Sequence, residues 1–97
     1  MEPWRGKWAL ITGASAGIGL ALAAQLVAGG ANLILTARRR ERLKTLAERL
    51  SEQHGVRIEV FPADLTLPVA PEQIFAFTEN QRIVVDLLIN NAGFGTY

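Results

Sequence analysis

The sequence contains no cysteine and a single histidine. It therefore has no disulfide framework and no thiolate metal site, and one imidazole cannot build a zinc site alone. Without disulfides, an intracellular, cytoplasmic location is the expected one. The net charge is only +1, whereas a nucleic-acid-binding domain would concentrate lysine and arginine on one face or tail. We expect neither a metal nor a nucleic acid among the ligands.

The sequence also lacks a long apolar run. No run approaches the roughly 18 residues that suggest a membrane span, and the first residues are too polar for a signal peptide. We therefore expect a soluble protein with no membrane partner. The hydrophobic share of 49%, with 20% charged residues in a chain of 97, is typical of one globular core.

Short apolar segments alternate with segments of helical periodicity. The pattern predicts strands at residues 7–12, 32–37, 57–61 and 84–90, and helices at 17–28, 39–54 and 71–80. The first helix is apolar nearly all round, which predicts burial on every side, and glycines at 29, 30 and 55 are expected to end helices. Phe75 and Phe77 are candidate core residues. This alternation predicts an α/β fold with a doubly wound parallel sheet and helices on both faces.

A glycine-rich turn lies between the first strand and the first helix, where residues 12–19 read TGASAGIG. A pyrophosphate needs backbone N–H groups that point at it and no side chain in the way, and a helix N-terminus adds partial positive charge. The same glycines also fit a tight turn with close packing and no ligand. We predict a phosphate-binding turn whose cofactor-binding residues are Gly13, Ser15, Gly17, Ile18 and Gly19.

The end of the second strand distinguishes between two dinucleotides. An NAD site places Asp or Glu roughly 20 residues beyond the glycine turn, whereas an NADP site places Arg there. This strand runs into Arg38 and Arg39, and the first acid is Glu41. A guanidinium pairs with a 2′-phosphate through charge-assisted hydrogen bonds. NADP (NADPH) is therefore the expected cofactor and NAD is disfavoured. We expect Arg38 to be the main contact, with Arg39 and Ser15 as secondary contacts. The alternative for Arg38 is a solvated residue at the start of a helix.

The spacing Gly-x-x-x-Gly-x-Gly, together with NNAG at residues 90–93, resembles the short-chain dehydrogenase/reductase family. The resemblance implies a Rossmann-type sheet of about four strands in the order 3-2-1-4. It covers essentially the whole chain, which corresponds to the N-terminal part of a single NAD(P)-binding Rossmann domain without its C-terminal catalytic part. Extended family members, which include epimerases, favour a different glycine spacing, so the shorter oxidoreductase type is expected.

The resemblance also implies roles for residues that follow the third and fourth strands. Asp64 would hydrogen-bond the adenine amine with Leu65 beside the ring, although a loop aspartate can equally form a turn. Asn90 and Asp86 would have structural roles. Along the ribose and adenine side of the cofactor we expect Asn91, Ala92 and Gly93, although Asn91 can equally satisfy neighbouring backbone groups and Gly93 can hold a positive φ.

The family uses a tyrosine, a lysine four residues later and a serine to reduce a carbonyl, and we assign no catalytic residue within this sequence. We therefore expect the binding portion of an NADP-dependent oxidoreductase that acts on a small carbonyl or alcohol substrate. The alternative is a non-catalytic nucleotide-binding or self-associating fragment. The fourth predicted strand is too apolar for an exposed sheet edge, so we also expect a homo-oligomer.

Overall fold

The structure, a computed structural model, describes residues 4–12, 17–37, 40–63 and 69–90. The strands are β1 (Trp8–Thr12), β2 (Asn32–Thr36), β3 (Ile58–Val60) and β4 (Leu87–Asn90), and the helices are α1 (Gly17–Ala28), α2 (Arg40–His54) and α3 (Ala70–Gln81). The strand pairings are parallel, and the sheet order is β3-β2-β1-β4. The predicted Rossmann-type α/β architecture with strand order 3-2-1-4 is confirmed.

The sheet carries apolar side chains on both faces, because parallel strands are covered on both sides. One face packs against α1 and α2, and its buried cluster includes Ile11, Leu33, Leu35, Val27 and Leu43. The other face packs against α3 through a smaller buried cluster, which consists of Leu10, Ile34, Ile74 and Ile83. Helices therefore lie on both faces, as the alternation of elements predicts.

Glycines end the first two helices, as expected. Gly30 has φ 92°, and its N–H donates to the carbonyl of Val27 at 3.0 Å, while the N–H of Ala31 donates to the carbonyl of Leu26 at 3.0 Å. This pair of hydrogen bonds is a Schellman motif, which requires a left-handed residue at the position of Gly30. Gly55, with φ 67°, ends α2 in a similar left-handed conformation.

Two predictions about burial are wrong. Phe75 is 65% exposed, whereas the inward face of α3 is formed by Ala70, Ile74 and Thr78. Residues 75 and 77 are two positions apart, so their side chains point in different directions from the helix. Phe77 is the one that packs, because its ring centroid lies 4.8 Å from that of Phe61. Helix α1 buries only one side, since its small residues at 21, 24 and 28 are exposed.

No helix in the described part of the chain is long and apolar enough to cross a membrane.

The largest difference in element bounds is at β4, which begins at Leu87 rather than at residue 84. Just before it, the N–H of Trp8 donates to Oδ2 of Asp86 at 2.9 Å, and the N–H of Asp86 donates to the carbonyl of Trp8 at 2.9 Å. A side-chain carboxylate thus takes the place of one carbonyl of the strand ladder. This is a structural hydrogen bond, in agreement with the role that the family resemblance implies for Asp86.

Candidate functional site

Parallel pairing brings the carboxyl ends of neighbouring strands to one edge of the sheet. Thr12, the last residue of β1, is in register with Thr36 on one side and with Asn90 on the other. The reversal of strand order between β2 and β4 occurs at β1. In open α/β sheets, ligands bind outside the carboxyl ends at such a reversal, so we take this edge as the candidate site and call it the carboxyl edge.

Backbone hydrogen bonds extend the carboxyl edge beyond the strands. The N–H of Phe61 donates to the carbonyl of Leu35, and the N–H of Ala63 donates to the carbonyl of Ala37, both at 3.0 Å. These two bonds hold the chain after β3 beside the chain after β2. Ala37, which precedes the predicted 2′-phosphate contact in the chain, and Ala63, which precedes the predicted adenine contact, are therefore neighbours.

Most of the predicted site residues lie outside the described residues. Thr12, Ala37, Ala63 and Asn90 are described and immediately precede predicted contacts in the chain. Of the predicted contacts themselves, the structure describes Gly17, Ile18 and Gly19 as part of α1. Those outside the described residues are Gly13, Ser15, Arg38, Arg39, Asp64, Leu65, Asn91, Ala92 and Gly93.

The first turn of α1 suits an anion. The helix begins at Gly17 directly after the segment that leaves β1, and its first turn contains no acidic residue. Its first N–H groups have no partner within the helix, and the macrodipole gives this end a partial positive charge. Gly19, in this turn, is buried. Phosphate binding at this end is therefore electrostatically favourable.

The end of β2 carries no acidic side chain. Ala37 lies about 20 residues after Gly17, the separation at which an NAD site carries its acid. The position holds a methyl group that is 9% exposed. No carboxylate at this position can repel a 2′-phosphate, so the described residues fit the cofactor that the sequence predicts.

Two threonines that are register partners differ in their hydrogen bonding. Oγ1 of Thr12 donates to the carbonyl of Ile89 at 3.4 Å and so links β1 to β4. Thr36 is 0% exposed, and its Oγ1 has no hydrogen-bond partner among the residues that the structure describes. A buried hydroxyl without a partner is energetically unfavourable. Sequence reasoning missed this feature, because threonine is an ordinary strand residue.

A groove between α1 and α2 was also missed by sequence reasoning. Its volume is about 380 Å³, and it is lined by Leu20 on α1 and by Glu41, Arg42, Thr45, Leu46 and Arg49 on α2. Within α2, positions 42, 45 and 49 follow the spacing i, i+3, i+7 of one helix stripe. That spacing is the signal that the sequence offers for this groove.

A second concavity, of about 350 Å³, lies at the opposite edge of the sheet, where Arg5, Asn32 and His54 line it together with three glycines. Helices α1 and α2 end there. The carbonyl ends of two helices carry partial negative charge, so this concavity is a poor place for the phosphates of a dinucleotide.

Known proteins resemble the chain over most of its length. The family model described as short chain dehydrogenase matches residues 7–97. A fatty acyl-CoA reductase of Acinetobacter baylyi is 44% identical over 96 residues, which cover 95% of this chain and 31% of that protein. A 7beta-hydroxysteroid dehydrogenase of Collinsella aerofaciens is 43% identical over 74 residues, covering 76% and 28%.

A solved structure shares the fold. The crystal structure of L-sorbose reductase from Gluconobacter frateurii, complexed with NADPH and L-sorbose, superposes with a TM-score of 0.89 at 37% identity. The match covers 98% of this chain and 36% of that one. The chain thus spans about a third of the length of the relatives that it matches.

Proposed function

The chain belongs to the short-chain dehydrogenase family, and from this premise we propose that it is the N-terminal cofactor-binding portion of an NADP-dependent oxidoreductase. That enzyme transfers a hydride between NADP(H) and a small carbonyl or alcohol substrate. The observation that carries the proposal is the carboxyl edge, where neighbouring β1 and β2 end side by side. The helix that follows β1 has no acid in its first turn, and β2 ends without an acid. The NADPH complex of the similar sorbose reductase supports the choice of cofactor.

In this proposal the phosphates are held at the carboxyl edge by two sets of residues. The pyrophosphate is bound by the backbone around Gly13 and by the first turn of α1, with Gly17 allowing close approach. The 2′-phosphate is bound by Arg38, with Arg39 and Ser15 as secondary contacts, because a guanidinium can donate two parallel hydrogen bonds to a phosphate.

The adenosine and the adjoining ribose complete the proposed site. Asp64 accepts a hydrogen bond from the adenine amine, and Leu65 lies beside the ring. The hydrogen bond between Ala63 and Ala37 supports this assignment, because it anchors the chain just before Asp64 next to the chain just before Arg38. Asn91, Ala92 and Gly93, which follow β4, contact the ribose and adenine side, while Ile18 contributes apolar contact near the pyrophosphate.

These residues bind and orient; they do not carry out the chemistry. Bound NADPH supplies the hydride, and a carbonyl substrate also needs a proton donor, whose contribution is about 10² to 10⁴ in rate. The family's Tyr-x-x-x-Lys pair is absent from the 97 residues. We therefore assign cofactor binding to this chain and catalysis to the complete enzyme.

A second candidate is a self-associating, non-catalytic nucleotide-binding fragment. It is favoured by the apolar surface around β4, where Leu88 is 60% exposed and Val84 is 76% exposed. Strand β4 is the end strand of the described sheet, and an edge strand offers unpaired N–H and C=O groups to another chain. We propose a homo-oligomer that covers this surface in either case.

The substitution Arg38→Asp tests the cofactor assignment. It replaces an attractive charge beside the 2′-phosphate with a repulsive one, so the dissociation constant for NADPH should rise at least tenfold while that for NADH changes little. Fluorescence titration with both cofactors measures this, and Arg5→Asp, at the opposite edge of the sheet, is the control for a change of net charge. Equal losses for NADPH and NADH would overturn the assignment of Arg38.

A further inference from the structure

The groove between α1 and α2 has an apolar lining beside exposed positive charge. Leu20, which is half-buried, and Leu46, which is buried, supply apolar surface to it. Arg42 and Arg49, which are both exposed, line it from α2. The groove can therefore accept a ligand that is apolar on one side and acidic on the adjoining side.

The charge of the groove is not neutralised within the described part of the chain. Its lining contains two arginines and one acid, Glu41, so the formal charges sum to +1. The ion pair that the structure gives among the described residues joins Arg57 to Glu59, and neither groove arginine has a described carboxylate at ion-pair distance. Oγ1 of Thr45 already donates to the carbonyl of Glu41 at 3.1 Å. The arginines are therefore the groups that can pair with an acidic ligand.

The helix on the other side of the groove carries no charge. None of the 12 residues of α1 is ionisable, yet Ala21, Ala24 and Ala28 are exposed. A helix that is apolar on every side is normally buried on every side. Small side chains also let a second helix approach closely, at the short end of the usual range of about 8 to 10 Å between helix axes. The outer face of α1 thus extends the apolar surface beside the groove.

The spacing of the two arginines fits a helical ligand. Arg42 and Arg49 are seven residues apart, which is about 10 Å along α2 at 1.5 Å per residue. Acids seven residues apart on a second helix have the same separation, and such a helix also presents apolar side chains along one face. A layer of phosphates, on a membrane or a nucleic acid, would pair with the arginines but leave the apolar lining unused. An acidic amphipathic helix uses both features.

We propose that the groove between α1 and α2 is a docking surface for an amphipathic helix of another protein. The apolar face of that helix covers α1, and its acidic residues pair with Arg42 and Arg49. This inference goes beyond the proposed function, because it concerns the outer surface of the two helices and needs no cofactor. The ion pairs are exposed to solvent, so each contributes modestly and is screened by salt.

The test uses the purified protein and two synthetic peptides of about 18 residues, long enough to be helical. The acidic peptide has leucines along one face and two glutamates seven residues apart beside that face, and the basic peptide has lysines in place of those glutamates. Fluorescence anisotropy of the labelled peptides measures binding at about 0.05 M and about 0.5 M salt. Thermal unfolding verifies that each variant folds like the wild type.

The variants are Arg42→Glu, Arg49→Glu, the double variant with both substitutions, and Lys44→Glu. The last is the matched control, because Lys44 is an exposed cation on the same helix that does not line the groove. It undergoes the same change of charge as either arginine. Its effect on binding therefore measures the contribution of net charge alone.

We expect the wild type to bind the acidic peptide at least about tenfold more tightly than the basic peptide at the lower salt concentration. Arg42→Glu and Arg49→Glu should each weaken the acidic peptide about threefold to tenfold, and Lys44→Glu should weaken it less than twofold or so, about the effect of net charge. The double variant should prefer the basic peptide, because its groove carries reversed charge. At the higher salt concentration these preferences should shrink.

Several outcomes would overturn the docking surface. One is that neither peptide binds, and another is that Lys44→Glu weakens the acidic peptide as much as Arg49→Glu does. A double variant that does not prefer the basic peptide would contradict the ion pairs. Binding to vesicles that contain phosphatidylglycerol, without binding of the acidic peptide, would assign the groove to a membrane surface instead. The affinity for NADPH, which tests the proposed function, is titrated separately, so either proposal can fail while the other stands.

Discussion

The substitution Ala37→Asp should reverse the cofactor preference of the protein. Ala37 is the last described residue before Arg38, and its side chain is 9% exposed at the carboxyl edge. A carboxylate there lies where an NAD site carries its acid and can accept a hydrogen bond from the ribose 2′-OH. The same carboxylate repels a 2′-phosphate, so NADPH should bind more weakly and NADH more tightly.

The size of the effect follows from simple electrostatics. Two unit charges about 6 Å apart interact by about 3 kcal/mol at an effective dielectric constant near 20. Solvent around the phosphate reduces this, so we expect about 1.5 to 3 kcal/mol, or about tenfold to hundredfold weaker NADPH binding. The carbonyl of Ala37 still accepts from the N–H of Ala63, so the backbone of the edge should be retained.

The assay is a pair of fluorescence titrations with NADPH and NADH, and Ala37→Asn is the control of similar size without charge. Thermal unfolding of both variants measures the penalty of placing a polar side chain at a nearly buried position. If Ala37→Asp and Ala37→Asn weaken NADPH equally, or if NADPH and NADH change in parallel, the electrostatic reasoning is refuted.

Two further predictions concern stability and association. Thr36→Val should raise the free energy of unfolding by about 1 kcal/mol, because it removes a buried hydroxyl that has no partner within the described part of the chain. Thr12→Val should lower the free energy of unfolding by about 1 kcal/mol through loss of the hydrogen bond to Ile89. Urea unfolding measures both changes, and changes of the same sign would contradict this prediction. The side chain of Leu88 is 60% exposed, so Leu88→Lys should reduce self-association while changing the free energy of unfolding by less than about 0.5 kcal/mol. Light scattering measures the mass in solution, and an unchanged mass would refute a role for this surface.

The helix ends that carry glycine could be predicted from the sequence. Gly30 and Gly55 both have positive φ, and glycine is the residue that most readily adopts it. The end of α3 gave no such signal, because Arg82 occupies the left-handed position with φ 55°. An arginine in that conformation is held there by its surroundings, here by the hydrogen bond from the N–H of Ile83 to the carbonyl of Thr78 at 2.9 Å.

Burial on α3 and the start of β4 depend on contacts that the sequence pattern does not contain. Phe75 and Phe77 are chemically alike, and the contact with Phe61 determines which of them packs. Residues 84 and 85 are apolar, as a strand would require, but residue 86 is an aspartate. That carboxylate bonds to Trp8, so the ladder starts only at Leu87.

The edge of the sheet that carries the candidate site follows from the strand order, and that order could be predicted from the sequence. Its electrostatic detail could not. The absence of an acid near Ala37 is visible in the sequence, but the groove beside Arg42 exists only because α1 and α2 pack side by side. The contrast between Thr12 and Thr36 likewise arises from packing, since both are threonines at strand ends.

The most direct test of the central claim is the affinity of the purified protein for NADPH compared with NADH, measured by calorimetry at one salt concentration. We predict that NADPH binds and that its dissociation constant is at least about tenfold lower than that of NADH, because the 2′-phosphate meets guanidinium groups and the end of β2 carries no carboxylate. Binding of neither cofactor, or an equal or tighter binding of NADH, would contradict it.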